Sequence, residues 1–323
     1  MAAVQPHPNA GAHQGLEVTR VLRAGVAGAG VFGGHHARKY ASLDGIELVG
    51  VFDRGTGRGM ALAETIGARG FDAEHWDEFI DQLDVLTVAA PAVAHAQLAV
   101  RALERGVHVY VEKPITPSIQ EAEAILGAAE EAGCVVAVGH QERIVFDEMG
   151  LLSTPERPTR LEAVRKGPWT GRSTDISVGL DLMIHDIDLA LSLAGAPAAG
   201  VEARSRRLMG ELPDETAAEI RFDNGMVAAF QASRAAEGRE RTMRVVYPSG
   251  EVRIDFLART FENTTPFALD PGFADTPRGK DPLGASVADF LAAVRGDAPR
   301  PAVTGEEAAR ALGLALAVDE SAE

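Results

Sequence analysis

The stretch VAGAGVFGGHHARKY, residues 26–40, decides the fold class of this chain. It places Gly28, Gly30 and Gly33 in the pattern GxGxxG, between an apolar strand-like run and a helix-like segment. In a strand–turn–helix unit, the first glycine permits a tight turn and the second admits a pyrophosphate to the backbone, while the third lets the helix pack against the strand. The pattern alone is weak evidence, because a glycine-rich turn without a ligand is the alternative.

An acidic residue after the second predicted strand strengthens this interpretation. Asp53 lies 20 residues beyond Gly33, in the segment GVFDRG. A carboxylate there accepts hydrogen bonds from the adenosine ribose hydroxyls and repels a 2′-phosphate, which favours NAD over NADP. Arg54 follows directly and can stack on adenine or pair with that phosphate, so NADP is not excluded. We assign Val31 and Phe32, inside the turn, to the same cofactor site.

Strand-like and helix-like segments alternate on both sides of this turn, from residue 21 to about residue 143. Six short runs rich in Val and Ile predict a parallel, doubly wound sheet, the Rossmann fold. Longer strand-like runs then fold back at Asn224-Gly225 and Ser249-Gly250, after one strong helix over 178–195. We therefore predict a second, α+β domain over 144–323 with an open, mainly antiparallel sheet, whose last helices can return to the first domain.

Composition excludes several classes of partner. The chain has 323 residues and a formal net charge of −16, from 31 basic and 47 acidic residues, which argues against a nucleic acid partner. The single cysteine, Cys134, forms no internal disulfide and fits a reducing, cytoplasmic compartment. No apolar run approaches the roughly 18 residues of a membrane span. Residues 1–20 lack the regions of a signal peptide, and we expect a disordered leader.

Two motifs carry the candidate chemistry. Strand 5 ends in VEKP, and ligands of doubly wound sheets bind beyond the carboxyl ends of strands, which places Lys113 near a nicotinamide ring and its substrate. An exposed charge pair with Glu112 is the alternative. The 178–195 helix carries a polar stripe of four residues: Asp181, His185, Asp188 and Ser192. A histidine flanked by carboxylates is an acid–base unit, because the carboxylate fixes the imidazole tautomer.

Histidines elsewhere leave further alternatives open. The polar stripe also fits a solvated helix face, or a metal site with His140 as an added ligand, but we predict no metal. His35 and His36 are adjacent on a helix and point in different directions, so they do not chelate one metal. We expect one of them near the pyrophosphate and the other in solvent.

Together these motifs resemble the Gfo/Idh/MocA oxidoreductase family, in GAGVFG, in APAVAHAQLAVRALERGVHVYVEKP and in DLMIHDID. The resemblance implies a Rossmann domain followed by a domain whose open sheet mediates dimers or tetramers. It also implies that Lys113 contacts substrate and nicotinamide, and that His185 is the acid–base residue with Asp181 beside it. Three further residues would line the nicotinamide and ribose site: Pro91, His95 and Glu112.

Within that family, VGHQER followed by DLMIHDIDL is similar to the UDP-N-acetylglucosamine 3-dehydrogenases, which oxidise the sugar 3-hydroxyl to a ketone. The chain departs from that branch at Ile144-Val145-Phe146, where the branch has Phe-Asn-Pro. We assign Arg143, the last residue of VGHQER, to the substrate site.

The loop RKGPWTGR, residues 165–172, also fits a nucleotide sugar. Arg165, Lys166 and Arg172 can pair with a diphosphate, and Trp169 can stack on a sugar or uracil ring. An ordinary basic surface loop is the alternative.

These observations predict an NAD-dependent dehydrogenase that oxidises a sugar hydroxyl to a ketone, with a UDP-linked N-acetylhexosamine oxidised at C3 as the leading substrate. A free polyol such as inositol is the alternative substrate. A non-catalytic NAD-binding sensor is the alternative class, and the presence of Lys113, Asp181 and His185 argues against it.

Overall fold

Two sheets organise residues 20–55, 57–171 and 173–322, the part of the chain that the computed structural model describes. Most of the predicted leader and Arg172 lie outside these residues. Of the leader only Arg20 is described, and it donates a hydrogen bond to Asp84 over 2.7 Å. No helix in these ranges is both long enough and apolar enough to cross a membrane.

The first sheet is parallel throughout, as predicted, in the order β3-β2-β1-β4-β5-β6. Its strands are β1 Leu22–Ala27, β2 Ile46–Phe52, β3 Arg69–Phe71, β4 Val85–Val88, β5 His108–Val111 and β6 Val136–Val138. The connecting helices are α1 Val31–Ser42, α2 Arg58–Thr65, α3 Trp76–Ile80, α4 His95–Leu103 and α5 Ile119–Ala132. The strand order reverses between β1 and β4, and this is where doubly wound sheets bind their ligands.

The second sheet has seven strands in the order β13-β12-β11-β7-β10-β9-β8. They are β7 Arg160–Lys166, β8 Ala198–Arg206, β9 Glu215–Phe222, β10 Val227–Ser233, β11 Glu240–Tyr247, β12 Gly250–Asp255 and β13 Thr260–Asn263. All neighbours are antiparallel except β7 and β10. The hairpins predicted at Asn224-Gly225 and Ser249-Gly250 join β9 to β10 and β11 to β12.

Helices join and cover the two sheets. They are α6 Glu142–Met149, α7 Ile184–Ala194 with a π-helical turn Gly179–Met183 before it, α8 Pro277–Lys280, α9 Pro282–Arg295 and α10 Gly305–Ser321. Short 3₁₀ turns occupy Ala73–His75, Ala92–Ala94, Leu151–Ser153 and Phe273–Asp275. Because α6 begins at Glu142, the boundary predicted between residues 143 and 144 falls inside a helix.

The last helices pack against the first sheet. Phe290 of α9 lies in a buried cluster with Tyr110 of β5, with ring centroids 5.9 Å apart. Thr304, the N-cap of α10, pairs with Ala137 of β6. These returning segments hold the carboxyl ends of β5 and β6 beside the second sheet.

Candidate active site

The turn between β1 and α1 assigns a different steric role to each glycine. Gly28 has a φ of +113°, and a Cβ there would lie 2.5 Å from the carbonyl oxygen of Ala89. A Cβ at Gly33 would lie 1.8 Å from the carbonyl oxygen of Gly28, so α1 packs on the turn without any room for a side chain. A Cβ at Gly30 would meet nothing within 4 Å, and that open space at a helix N-terminus fits a pyrophosphate.

The other residues predicted to bind the cofactor surround this turn. Val31 and Phe32 are exposed at the start of α1. Asp53 follows β2, is nearly buried, and has one carboxylate oxygen 3.8 Å from the guanidinium of Arg58. Arg54, beside it, is exposed. This arrangement of an open turn and an acidic residue fits a bound NAD.

Glu112, at the end of β5, connects that strand to α1. Its Oε1 accepts hydrogen bonds from Nε2 of His36 (2.7 Å) and from Nε2 of Gln141 (3.0 Å). Burial acts to raise the pKa of the Glu112 carboxyl, but the His36 hydrogen bond and the charge of Lys113 hold that pKa below its usual range. His36 is therefore buried against Glu112, whereas His35 is exposed. The histidine expected in solvent is therefore His35.

Lys113 lies where β5 meets the second domain. Its Nζ donates to the carbonyl oxygen of Asp181 over 2.7 Å and lies 3.2 Å from Oδ1 of the same residue. The Lys113–Pro114 peptide bond is cis. The structure thus brings together two of the predicted catalytic residues from separate domains.

The carboxylate partner of His185 is Glu142, a residue that the sequence reasoning missed. Nδ1 of His185 lies 2.8 Å from Oε2 of Glu142. Asp181 was predicted for this position, but its side chain binds Lys113 instead. The VGHQER segment contains the only sequence signal for Glu142, and nothing in local spacing connects it to α7.

The polar stripe predicted on α7 does not act as one unit, because the helix is irregular. Gly179–Met183 forms a π-helical turn, which changes the angular offset of Asp181 from the α-helix that follows. Asp181 binds Lys113 after β5, whereas His185 and Asp188 bind the adjacent residues Glu142 and Arg143 of α6. Ser192 donates to the carbonyl oxygen of Leu189 in its own helix.

The electrostatics keep His185 neutral and Glu142 ionised. Burial lowers the pKa of His185, and the charges of Lys113 and Arg165 act in the same direction, against the Glu142 carboxylate. The pKa of Glu142 lies well below its usual range because His185 and Arg165 outweigh its burial. A neutral imidazole that donates its Nδ1 proton to Glu142 leaves Nε2 free to accept a proton.

Two arginines predicted to contact the substrate are instead committed to buried ion pairs. Nε and Nη2 of Arg165 donate to Asp186 over 3.0 and 2.9 Å, and Nη1 donates to Glu142 over 3.0 Å. Nε and Nη2 of Arg143 donate to Asp188 over 2.8 and 2.9 Å. Both side chains are buried, so their guanidinium groups hold α6 and β7 to α7 and are not open to a diphosphate. We withdraw both from the substrate contacts.

The loop after β7 is anchored by Arg234, the residue that follows β10. Arg234 pairs with Asp214 over 2.9 Å and donates to the carbonyl oxygens of Ser173 and Ile176. Its guanidinium carbon lies 5.4 Å from the ring centroid of Trp169, which is half-buried. Trp169 is therefore held at the end of the second sheet. Contact of this side chain with substrate stays a prediction.

His95 and Pro91 lie after β4. Nδ1 of His95 lies 2.9 Å from the carbonyl oxygen of Pro114, and Nε2 lies 2.8 Å from that of Ala90. Burial lowers the pKa of this imidazole. His95 thus ties the β4 loop to the β5 loop, while Pro91 is exposed beside it.

His140 follows β6 and is buried next to His185, with ring centroids 6.1 Å apart. Neither of its ring nitrogens has a hydrogen-bond partner in the described ranges. Burial lowers its pKa. Within those same ranges, no three or more His, Cys, Asp or Glu side chains are grouped so that they could hold a metal ion.

Comparison with known proteins decides the family. Residues 22–140 match an oxidoreductase family with an NAD-binding Rossmann fold, and residues 154–253 match the Gfo/Idh/MocA C-terminal domain. The chain belongs to the Gfo/Idh/MocA oxidoreductase family. The predictions of an NAD cofactor and of a dehydrogenase acting on CH–OH groups are thereby confirmed, as is the two-sheet architecture.

Two individual relatives within the Gfo/Idh/MocA family are similar to this chain over most of its length. The chain is 34% identical to the UDP-N-acetylglucosamine 3-dehydrogenase of Acidithiobacillus ferrooxidans, over 94% of this chain and 97% of the relative. A solved structure of that enzyme superposes with a TM-score of 0.85, covering 94% of this chain and 98% of that one. The NAD-dependent scyllo-inositol 2-dehydrogenase of Bacillus subtilis is 27% identical over 73% of this chain and 74% of its own.

Proposed function

We propose that this Gfo/Idh/MocA dehydrogenase oxidises the 3-hydroxyl of UDP-N-acetylglucosamine, or of a related UDP-sugar, to a ketone. The observation that carries the proposal is that Lys113, after β5, binds Asp181, which lies four residues before His185, and that His185 has its own carboxylate partner in Glu142. The 34% identity to a UDP-N-acetylglucosamine 3-dehydrogenase over nearly the whole chain supports this choice of substrate.

In the proposed reaction His185 is the base, and Lys113 is the cation that stabilises negative charge. NAD, held by the Gly28–Gly33 turn and Asp53, supplies the acceptor for the hydride when it is bound. Nε2 of His185 removes the proton of the hydroxyl group, and the Glu142 carboxylate stabilises the resulting imidazolium. The ammonium group of Lys113 has three donors, two of which face Asp181, and the third can bind the hydroxyl oxygen and stabilise its developing negative charge.

Lys113→Ala and His185→Ala test the proposed roles. We expect each to lower kcat with NAD and UDP-N-acetylglucosamine by about 10²-fold or more, the scale of a positioned acid–base group. The assay is the absorbance of NADH, with NAD affinity and thermal melting as checks that each variant is folded. Turnover near the wild-type rate in both variants would contradict the assignment.

A free polyol is the second candidate, because inositol dehydrogenases are among the relatives. The same assay with myo-inositol and scyllo-inositol separates the two substrate classes. Oxidation of an inositol without oxidation of any UDP-sugar would replace the proposed substrate. NAD binding without turnover of either class would favour a non-catalytic sensor.

We further propose a cytoplasmic homodimer or homotetramer that forms through the open face of the second sheet. That face carries a shallow groove of about 640 Å³, lined by residues of β7, β11, β12 and β13 that include Val164, Arg244 and Arg253. Light scattering coupled to size exclusion tests this, and a monomeric mass at micromolar concentration would contradict it.

A further inference from the structure

Two arginines have no role assigned so far: Arg239, the residue before β11, and Arg241, the second residue of that strand. Arg241 lies directly opposite Arg165 in the antiparallel pairing of β7 with β11. Side chains alternate between the two faces of a strand, so Arg241 shares a face with the buried Met243 and Val245. Arg165 reaches Asp186 of α7 from this same face. Arg241 therefore points towards the side of the sheet that holds His185.

Arg239 and Arg241 differ from most arginines of the second sheet, whose charges are neutralised by ion pairs. Five arginines of the sheet pair with glutamates: Arg160, Arg206, Arg221, Arg244 and Arg253. Neither Arg239 nor Arg241 forms an ion pair or a side-chain hydrogen bond within the ranges that the structure describes. Both are exposed to solvent. An unpaired cation pair is notable in a protein of net charge −16.

Charges of both signs surround Arg241. Partial burial and the neighbouring charges of Arg165 and Arg239 lower the pKa of Arg241. Glu142 and Asp186 lie close enough to act in the opposite direction, but both already bind Arg165. The two carboxylates that act on Arg241 are therefore already engaged by Arg165.

We propose that Arg241, with Arg239 beside it, binds the diphosphate of the sugar-nucleotide substrate. The inference rests on the proposed function, because it needs a substrate that carries phosphate. A guanidinium group matches two phosphate oxygens at once, and unpaired cations offset the repulsion between a diphosphate and an acidic protein. Arg241 and Arg239 thus take the substrate-binding role that was predicted for Arg143 and Arg165. The guanidinium donors of Arg143 and Arg165 are already hydrogen-bonded to carboxylates inside the protein.

The same phosphate chemistry has two other possible sources. One is the pyrophosphate of the cofactor, which the open space at Gly30 already fits. The other is a sugar phosphate monoester, since the glucose-6-phosphate 3-dehydrogenase of Bacillus subtilis is 31% identical over 52% of this chain. We commit to the diphosphate of a UDP-sugar, and the experiment distinguishes all three.

The test compares Arg241→Met with Arg204→Met in the full-length protein. Arg204 is also exposed and lies on β8, four strands away from β11 in the sheet order, so its loss removes the same charge at a distance. UDP is the binding probe, measured by calorimetry on enzyme saturated with NAD. KM values for UDP-N-acetylglucosamine, glucose 6-phosphate and NAD are measured alongside thermal melting.

We expect Arg241→Met to raise the Kd for UDP and the KM for UDP-N-acetylglucosamine by about tenfold or more, the scale of a lost charge-assisted hydrogen bond. The KM for NAD stays unchanged, and Arg204→Met behaves as wild type. Arg239→Met shows a smaller change in the same direction.

Four outcomes overturn the inference. If wild type oxidises UDP-sugars and a folded Arg241→Met variant has an unchanged Kd for UDP, this inference is overturned and the proposed function is not. A raised KM for NAD instead assigns the arginines to the cofactor. A raised KM for glucose 6-phosphate in a protein that does not bind UDP assigns them to a phosphate monoester. A wild-type protein that neither binds UDP nor oxidises a UDP-sugar overturns the proposed function, and this inference with it.

Discussion

The imidazole of His185 shows how a single contact assigns a chemical role at the residue scale. Nδ1 faces Glu142, so the proton on that nitrogen is held and Nε2 is the atom to which we assign the role of base. Glu142 in turn accepts from Arg165, which keeps the carboxylate ionised although it is buried. We propose that Glu142 acts through His185, as a positioning residue.

Glu142→Gln tests this role through a pH profile. We expect kcat to fall by about tenfold or more, because the amide no longer fixes the tautomer or stabilises the imidazolium. The carboxylate raises the pKa of His185, so its removal lowers that pKa further and moves the acid limb of kcat to lower pH. The measurement is kcat from pH 4.5 to pH 9 with saturating NAD and UDP-N-acetylglucosamine.

Glu162→Gln is the matched control for this prediction. Glu162 also binds two arginines, Arg160 and Arg244, but it has no contact with His185. The acid limb of kcat in Glu162→Gln is expected to coincide with that of wild type. An unshifted acid limb in Glu142→Gln would show that Glu142 does not act on the base.

At the scale of elements, the β1–α1 unit was predictable because its geometry depends on neighbouring residues. The contacts that exclude a side chain from Gly33 come from Gly28, five residues away. The π-helical turn before α7 was not predictable from periodicity, because one widened turn leaves the spacing of the apolar residues almost intact. Asp181 lies within that turn, whereas His185 lies in the regular helix after it.

Gly30→Ala and Gly33→Ala form a pair that separates cofactor binding from packing. Gly30 has a φ of −78°, which alanine adopts, and its Cβ would enter open space. We therefore expect Gly30→Ala to keep the wild-type Tm but to bind NAD about tenfold more weakly, since the methyl group occupies the place of the pyrophosphate. NAD titration followed by fluorescence measures this, and unchanged affinity would contradict the placement of the cofactor.

Gly33→Ala is expected to act on the fold instead. Its Cβ would lie 1.8 Å from the carbonyl oxygen of Gly28, so α1 has to move away from β1. Such overpacking lowers the Tm by roughly 4 °C or more for a domain of this size. A wild-type Tm in Gly33→Ala would show that the helix does not pack as closely as the structure describes.

At the scale of the whole molecule, buried histidines make stability depend on pH. Burial lowers the pKa of His95, His140 and His185 in the folded protein. Their contribution is complete above the unfolded pKa near 6.5, and stability is lost as the pH falls from there towards the lowered folded values. Each group contributes a slope of up to about 1.4 kcal/mol per pH unit in that window.

His140→Phe tests this dependence, because neither ring nitrogen of His140 has a partner to lose within the described ranges. We expect the free energy of unfolding in urea to fall less between pH 7.5 and pH 5.5 in this variant than in wild type. His35→Gln, at an exposed position, serves as the control and is expected to follow wild type. Equal losses in His140→Phe and wild type would contradict a role for His140 in acid sensitivity.

The sequence by itself determined the parallel sheet and the dinucleotide turn, and it was enough to propose Lys113 and His185 as catalytic residues. Those features depend on local spacing, on hydrophobic period and on motifs whose residues lie close together in the chain. Only the tertiary structure decided which charges meet. Glu142 and His185 are 43 residues apart, and Arg143 and Asp188 are 45 apart. Partners at such separations are chosen by how α6, α7 and β7 pack, and that packing determines which cations are consumed inside the protein and which stay open to a ligand.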